Sequence, residues 1–336
     1  MAPSVTAADS NTVRSEECGG PQLVRRHLTL HGQSMSYLEA GQDSGGPVVV
    51  LIHGLAGDGA GWRDVIAVLG RHTHVLAPDL LGHGGSAAPP DADYTVSAHA
   101  SRLRDLLRAL GHRRVSLVGH SFGGGVAMAF AYQFPERTQT LTLIASGGLG
   151  PELSVALRIA CLPGVCLGAH TLSRLTPSWV ARLAHRGVSA VGLVRGIDLD
   201  ELARGLRALH DPGGRRAFLC TLRGVASWSG QRLDATDRLY LLAAFPILLI
   251  TGRMDRCIPQ HHTERAHHLL PGSRLEVLDS GHFPHTEHPD QIAALIVDLL
   301  HSSGHRPAPS RNPATHRAAP KTIPAPRGIG TGRSAS

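Results

Sequence analysis

Six short runs rich in Val, Ile and Leu recur along the chain, each followed by a glycine or proline turn: VVVLIHG (Val48–Gly54), HVLAPD (His74–Asp79), VSLVG (Val115–Gly119), TLTLIAS (Thr140–Ser146), PILLITG (Pro246–Gly252) and RLEVLDSG (Arg274–Gly281). They are continuous rather than alternating, as expected of parallel strands buried on both faces beneath helices. Helical patterns lie between them. Ser97–Leu110 spaces Leu103, Leu106, Leu107 and Leu110 along one face with arginines elsewhere, and Ala127–Phe134 stops at Pro135. Strand and helix alternate, which predicts an α/β fold built on an open, mostly parallel central sheet with helices on both faces.

One interval breaks this rhythm. Between Gly148 and Leu241 no strand-like run appears, and the stretches Trp179–Arg195, Leu199–Leu209 and Arg215–Trp228 are compatible with helix. A helical insertion after the fourth run accounts for it. The expected organisation is a disordered N-terminal extension over 1–26, a core formed by 27–148 and 242–302, a helical cap over 149–241 and a disordered basic tail over 303–336.

Charge excludes one class of function. The chain carries a net charge of +7, but six of its basic side chains (Arg306, Arg311, Arg317, Lys321, Arg327 and Arg333) lie beyond His301 with no acid among them. The body before them is nearly neutral, and nothing in it suggests a phosphate-binding face. Lys321 is the only lysine, a skew that fits arginine-coding bias better than a binding role. The five cysteines (Cys18, Cys161, Cys166, Cys220 and Cys257) lack zinc-type pairing and read as reduced, mostly buried thiols. No secretory signal is visible and the most apolar windows are too short to span a bilayer, so the sequence predicts a soluble, cytoplasmic protein.

Chemistry concentrates where Val115–Gly119 meets the following helix. Gly119-His120-Ser121-Phe122-Gly123 is a G-x-S-x-G turn. A strand-to-helix turn this sharp strains the serine backbone, and side chains two places either side would collide with the neighbouring strand and helix. The strain lifts the Ser121 hydroxyl clear of the sheet and frees the next backbone N–H for an oxyanion.

In this context the sequence resembles the alpha/beta-hydrolase family, in its serine-nucleophile branch with a helical cap, through HGLAGDG, APDLLGHGGS, GHSFGGG, GRMDRCIP and SGHFPHTEHP from about Leu28 to Leu300. The family order is serine, acid, histidine. That order implies Asp255, after Gly252-Arg253-Met254, and His282, after Ser280-Gly281, as partners of Ser121. Both fall at carboxyl ends of strands, where open α/β sheets place their sites. His285 and His288 lie further into the next helix start, and Asp79 precedes the serine and resembles the family's structural aspartate. Some relatives place the acid after the strand following the serine, but here that strand ends Ala145-Ser146-Gly147-Gly148. His53-Gly54-Leu55-Ala56 resembles the oxyanion motif, implying the N–H groups of Leu55 and Phe122 as donors, with His53 and His120 buttressing the turns.

A serine at the elbow argues against haloalkane dehalogenases and epoxide hydrolases, which use aspartate there. It favours an ester, thioester, lactone or related carbonyl of a small to medium apolar substrate, as in carboxylesterases. Carbon–carbon bond hydrolases of meta-cleavage products are the nearest alternative, although their usual elbow has asparagine before the serine and tryptophan after the histidine, where this chain has His120 and Phe283. A non-catalytic ligand sensor is the alternative of another class, which an intact triad disfavours. Trp179, Phe218 and Trp228 are candidate apolar walls of the substrate pocket. No metal or organic cofactor is implied. The expected partner is a small-molecule substrate, with no specific nucleic acid, no membrane span and no signature of an oligomeric state.

Overall fold

The computed structural model describes residues 21–162, 164–165, 168, 171, 198, 200–201, 204–205 and 211–304. Eight strands form the central sheet: β1 (Val24–Leu30), β2 (Gln33–Ala40), β3 (Val48–Ile52), β4 (His74–Pro78), β5 (Val115–His120), β6 (Thr138–Ile144), β9 (Ile247–Gly252) and β10 (Arg274–Leu278). The short hairpin of β7 (Ala226–Ser227) and β8 (Gly230–Gln231) stands apart. The sheet runs β1-β2-β4-β3-β5-β6-β9-β10, with β2 antiparallel to both its neighbours and the other pairings parallel.

The apolar runs are continuous because alternate residues serve different faces. Val50 and Ile52 of β3 pack with Leu117, Leu141 and Leu249 beneath α2 (Val96–Ala109) and α3 (Phe122–Gln133). Val49 and Leu51 pack on the other face with Val118, Ile144 and Ile250 against α1 (Arg63–Leu69) and the helix Pro289–Ser303. Thr95 caps α2 through its side chain, which accepts from Ala98 N at 3.3 Å. Nine residues of α3 are buried, which is why its sequence lacks an amphipathic stripe.

The structure corrects the boundary at residue 26, because β1 already begins at Val24, paired with Glu39. VRRHLTL and QSMSYLEA carry no continuous apolar run, since β1 is an edge strand that buries only Leu28. A two-residue turn joins them, with His31 at φ 51° and Gly32 at φ 75°, as a tight hairpin requires. Within 149–241 the described residues include the helices Val155–Ala160 and Pro212–Val225, the latter capped by Asp211, whose carboxylate accepts from Gly214 N at 2.6 Å. The β7–β8 hairpin also lies there, a short strand pair where none was expected. Cys161 and Cys257 are half-buried and Cys220 is exposed, so the expectation of mostly buried thiols does not hold for these three cysteines.

Asp79 ties the loops on the site side of the sheet together. Its fully buried carboxylate accepts from Gly59 N at 2.7 Å, Gly85 N at 2.8 Å and the Arg25 guanidinium at 2.8 Å. The role is structural, as its position suggests. Asp79→Ala leaves two amides without a partner and strips the Arg25 guanidinium of its carboxylate, and urea denaturation is expected to register a loss of about 3–5 kcal/mol.

Candidate active site

Ser121 joins β5 to α3 with φ 52° and ψ −117°, a left-handed conformation that L residues rarely adopt. Neighbouring backbone holds it there. Its N–H donates to Ile144 O at 3.0 Å, and its carbonyl accepts from Gly124 N and Gly147 N, each at 3.0 Å. A Cβ on Gly119 would overlap the Gly123 carbonyl, and one on Gly123 would overlap the backbone at the end of β3, so both glycines are obligatory.

The loops after β9 and β10 supply the other two groups. Met254 N donates to Ser280 O at 3.0 Å and Arg253 N to Leu278 O at 2.8 Å, which locks the two loops together. His282 Nδ1 lies 2.8 Å from Asp255 Oδ2, and His282 Nε2 lies 3.0 Å from Ser121 Oγ. The carboxylate can only accept, so Nδ1 carries the proton and Nε2 faces the hydroxyl with a free lone pair. Asp255 Oδ1 accepts from Cys257 N at 2.7 Å and Ile258 N at 2.9 Å, which fixes the carboxylate in a fully buried position. The structure thus brings Ser121, His282 and Asp255 into one hydrogen-bonded chain.

Electrostatics separates His282 from the histidines around it. Burial works to lower its pKa, but the Asp255 carboxylate, helped by the Cys257 sulfur, holds it well above the ordinary imidazole value. His120 lies 4.4 Å from His285 between ring centroids and donates from Nε2 to His282 O at 2.8 Å. Burial and these neighbours hold His120 well below the usual range. His53 Nδ1 donates to Gly54 O at 2.8 Å and its Nε2 accepts from Leu80 N at 3.0 Å. Both histidines brace loops, as their positions beside the turns suggest.

Gly54 sits against the elbow, where a Cβ would fall 3.3 Å from Ser121 Cβ, so the His53–Gly57 loop borders the hydroxyl. Among the described residues neither Leu55 N–H nor Phe122 N–H makes a backbone hydrogen bond. A cavity of about 50 Å³ beside this loop is lined by Leu55, Trp62, His120, Arg204, Phe283 and His285, with Arg204 paired to Glu201 at 3.0 Å. Phe218, buried, packs in a cluster with Leu55 and Ala56 and so adjoins the site. Trp228 is 54% exposed beneath the Arg158 guanidinium, which corrects its assignment to a pocket wall: the hairpin carries it outward. Trp179 lies outside the described residues.

Two acids bear on the histidine loop without a sequence signal. Asp198 Oδ1 accepts from His282 N at 3.2 Å, and Glu287 Oε1 accepts from Gly281 N at 2.7 Å. Burial, with Glu287 and Asp255 nearby, raises the pKa of Asp198. Glu287 could have been sought in HTEHP, but Asp198 sits in no motif.

The sequence profile of the alpha/beta hydrolase fold matches residues 47–160. A 2-hydroxy-6-oxo-2,4-heptadienoate hydrolase of Pseudomonas putida is 32% identical over 261 residues, covering 76% of this chain and 89% of that protein. The chain belongs to the alpha/beta hydrolase family. This hydrolase is also 39% identical over 280 residues to an uncharacterised protein of Mycobacterium tuberculosis, covering 81% of this chain and 80% of that one. Among solved structures, an esterase from Thermogutta terrifontis superposes with a TM-score of 0.64 at 24% identity, covering 83% of this chain and 98% of that one. It shares the fold.

Buried neutral histidines make the hydrolase acid-sensitive. Burial, with His53 nearby, pushes His83 down to about 3, and burial, with His282 nearby, pushes His285 down to about 3. Each binds a proton near pH 6.5 only when the chain unfolds, so each removes about 1.4 kcal/mol of stability per pH unit as pH falls below that value. His282 acts oppositely, stabilising below its ordinary pKa and losing that contribution as pH rises through the folded one. Urea melts of His285→Gln between pH 6 and 4 are expected to give a slope shallower than wild type by about 1.4 kcal/mol per pH unit.

Proposed function

We propose that this hydrolase cleaves a carboxylic ester, or a related carbonyl compound, of a small to medium apolar substrate through an acyl-Ser121 intermediate. The observation that carries the reading is the chain Ser121 Oγ–His282 Nε2 at 3.0 Å and His282 Nδ1–Asp255 Oδ2 at 2.8 Å on a positive-φ elbow. Ser121 Oγ attacks the carbonyl carbon as His282 Nε2 takes its proton. The Leu55 and Phe122 N–H groups receive the charge that develops on the carbonyl oxygen, where one such donor is worth about 3 kcal/mol. The carbon–oxygen bond to the leaving alcohol then breaks, and His282 gives the proton to that alcohol. Water attacks the acyl-serine, His282 takes and returns a proton in the same way, and the acid leaves. Asp255 keeps the imidazole oriented and stabilises its protonated form. We infer that the insertion over 149–241 caps the site, a reading supported by Phe218, which packs with Leu55 and Ala56 of the oxyanion loop.

A second reading is favoured by the relatives. Besides the Pseudomonas putida heptadienoate hydrolase, carbon–carbon bond hydrolysis of a dienoate would use the same serine, histidine and acid. The site of this chain departs from that class at His120 and Phe283.

Hydrolysis of p-nitrophenyl esters from acetate to decanoate is expected to vary with acyl length and to vanish in Ser121→Ala. Turnover of a 2-hydroxy-6-oxo-hexa-2,4-dienoate with none of any ester would replace the first reading by the second. Inertness towards both, with no fluorophosphonate labelling of Ser121, would favour a sensor.

The base must be neutral to accept a proton, so the acid limb of kcat/KM is expected above the ordinary imidazole value of about 6.5. Asp255→Asn removes the carboxylate that opposes burial. It is expected to lower kcat by roughly 10³–10⁴-fold and to move the limb to lower pH.

A further inference from the structure

Away from Ser121, the segment after β6 and the start of the helix Gln260–Leu269 bring three metal-ligating side chains together. Glu152, His261 and His262 each offer one donor atom, and the three atoms lie within 4.8 Å of one another. Glu152 engages both rings: Oε1 stands 3.6 Å from His261 Nε2, and Oε2 bonds to His262 Nε2.

The backbone on both sides of the cluster is built into the fold, and one of its three side chains is fixed. The His262 side chain is only 2% exposed, against 55% for Glu152 and 60% for His261. It lies flat on the backbone at Gly150, where a Cβ would overlap its ring. Its Nδ1 is buried without a hydrogen-bond partner among the described residues, so the ring's polar engagement runs through Nε2, the atom aimed into the cluster. The backbone that carries Glu152 is held too, while its carboxylate stays exposed. Gln231 N donates to Pro151 O and Gln231 Nε2 to Glu152 O, each at 2.8 Å, while Ser154 N donates to Cys257 O at 3.0 Å.

Two neutral imidazoles and one carboxylate are a ligand set for zinc and its neighbours, with one tetrahedral position left for water. Bonds of about 2.0–2.1 Å place tetrahedral donors about 3.3 Å apart, a contraction that rotation of the two exposed side chains supplies. We propose that Glu152, His261 and His262 form a three-ligand site for a divalent transition-metal ion of the zinc class. The ion clips the root of the insertion to the segment that follows Asp255, through ligands on both sides of the Ser154–Cys257 hydrogen bond. It takes no part in the chemistry at Ser121.

The test uses the full-length chain, stripped with a chelator and equilibrated against micromolar free Zn²⁺, with bound metal measured by plasma mass spectrometry. Wild type is expected to retain one equivalent. Glu152→Gln and His261→Ala, both at exposed positions that spare the core, are expected to weaken that binding at least tenfold. The double variant His267→Ala/His268→Ala, which removes the other adjacent histidine pair on the same helix, is expected to retain it. Co²⁺ absorption titrations of the same proteins report the ligand field directly, and a three-ligand site predicts a spectrum that both cluster variants lose. Undiminished binding by Glu152→Gln and His261→Ala, or no retained equivalent in wild type, overturns the proposal.

Discussion

The conformation of Ser121 is the constraint on which the rest of the site depends. A non-glycine residue at φ 52° and ψ −117° costs on the order of 1–3 kcal/mol and persists only where its surroundings over-determine it. Here they do. The backbone of Ser121 is held by Ile144, Gly124 and Gly147, and the glycines at 119 and 123 let α3 and the end of β3 approach closer than any side chain allows. Because β5 is a central strand paired with both β3 and β6, the turn cannot relax without displacing the core. The strained turn therefore inherits its rigidity from the two packed faces of the sheet.

Charge at this end of the molecule is distributed by the same geometry. Strand ends converge, so the carboxylate of Asp255, the backbone of His282 and the rings of His120 and His285 share a small volume. Burial alone would leave every imidazole neutral. Of these three rings, His282 has an acid at hydrogen-bond distance on one nitrogen and a hydroxyl on the other, and there the carboxylate outweighs burial. Burial, with His282 among their neighbours, holds His120 and His285 below the ordinary imidazole range. Acid sensitivity is the structural cost of packing histidines where they brace the loops.

Legibility followed burial. Strands β3, β4, β5, β6 and β9 were readable because both faces are covered, whereas β10 is an edge strand that buries only Leu278 and was found by the glycine turn that follows it. Strand β1 was not, since an edge position tolerates Arg25, Arg26 and His27 and leaves no hydrophobic period, and β2, although paired on both sides, buries the polar Ser36 and Glu39 and so carries no apolar run. The positions of Ser121, Asp255 and His282 were legible because each follows a strand run with a glycine one to three residues before it. Asp198 was not, because its contact with His282 N is made by tertiary approach of the insertion and leaves no local pattern. Trp228 shows the opposite failure: an aromatic in an apolar stretch suggests a wall, but a tight hairpin turns its ring outward, under Arg158.

The surroundings of His282 bear on which carbonyl the site would take. In the resemblance to carbon–carbon bond hydrolases, the residue before the serine is an asparagine whose amide could offer donors beside the nucleophile. His120 occupies that position and spends its Nε2–H on the His282 carbonyl, while its ring lies between Phe283 and His285. It braces the base and gives no donor to a substrate. Phe283, in place of tryptophan, likewise lacks an N–H to offer. Both differences remove polar groups near the serine and leave the carbonyl itself, held by backbone N–H groups, as the feature the site can recognise. An ester needs no more than that, whereas a dienoate brings a carboxylate that would need its own cation. Arg204 is the cation lining the described cavity, and Glu201 already neutralises it at 3.0 Å. The balance of polar groups around Ser121 therefore supports the proposal of an apolar acyl substrate over that of a dienoate.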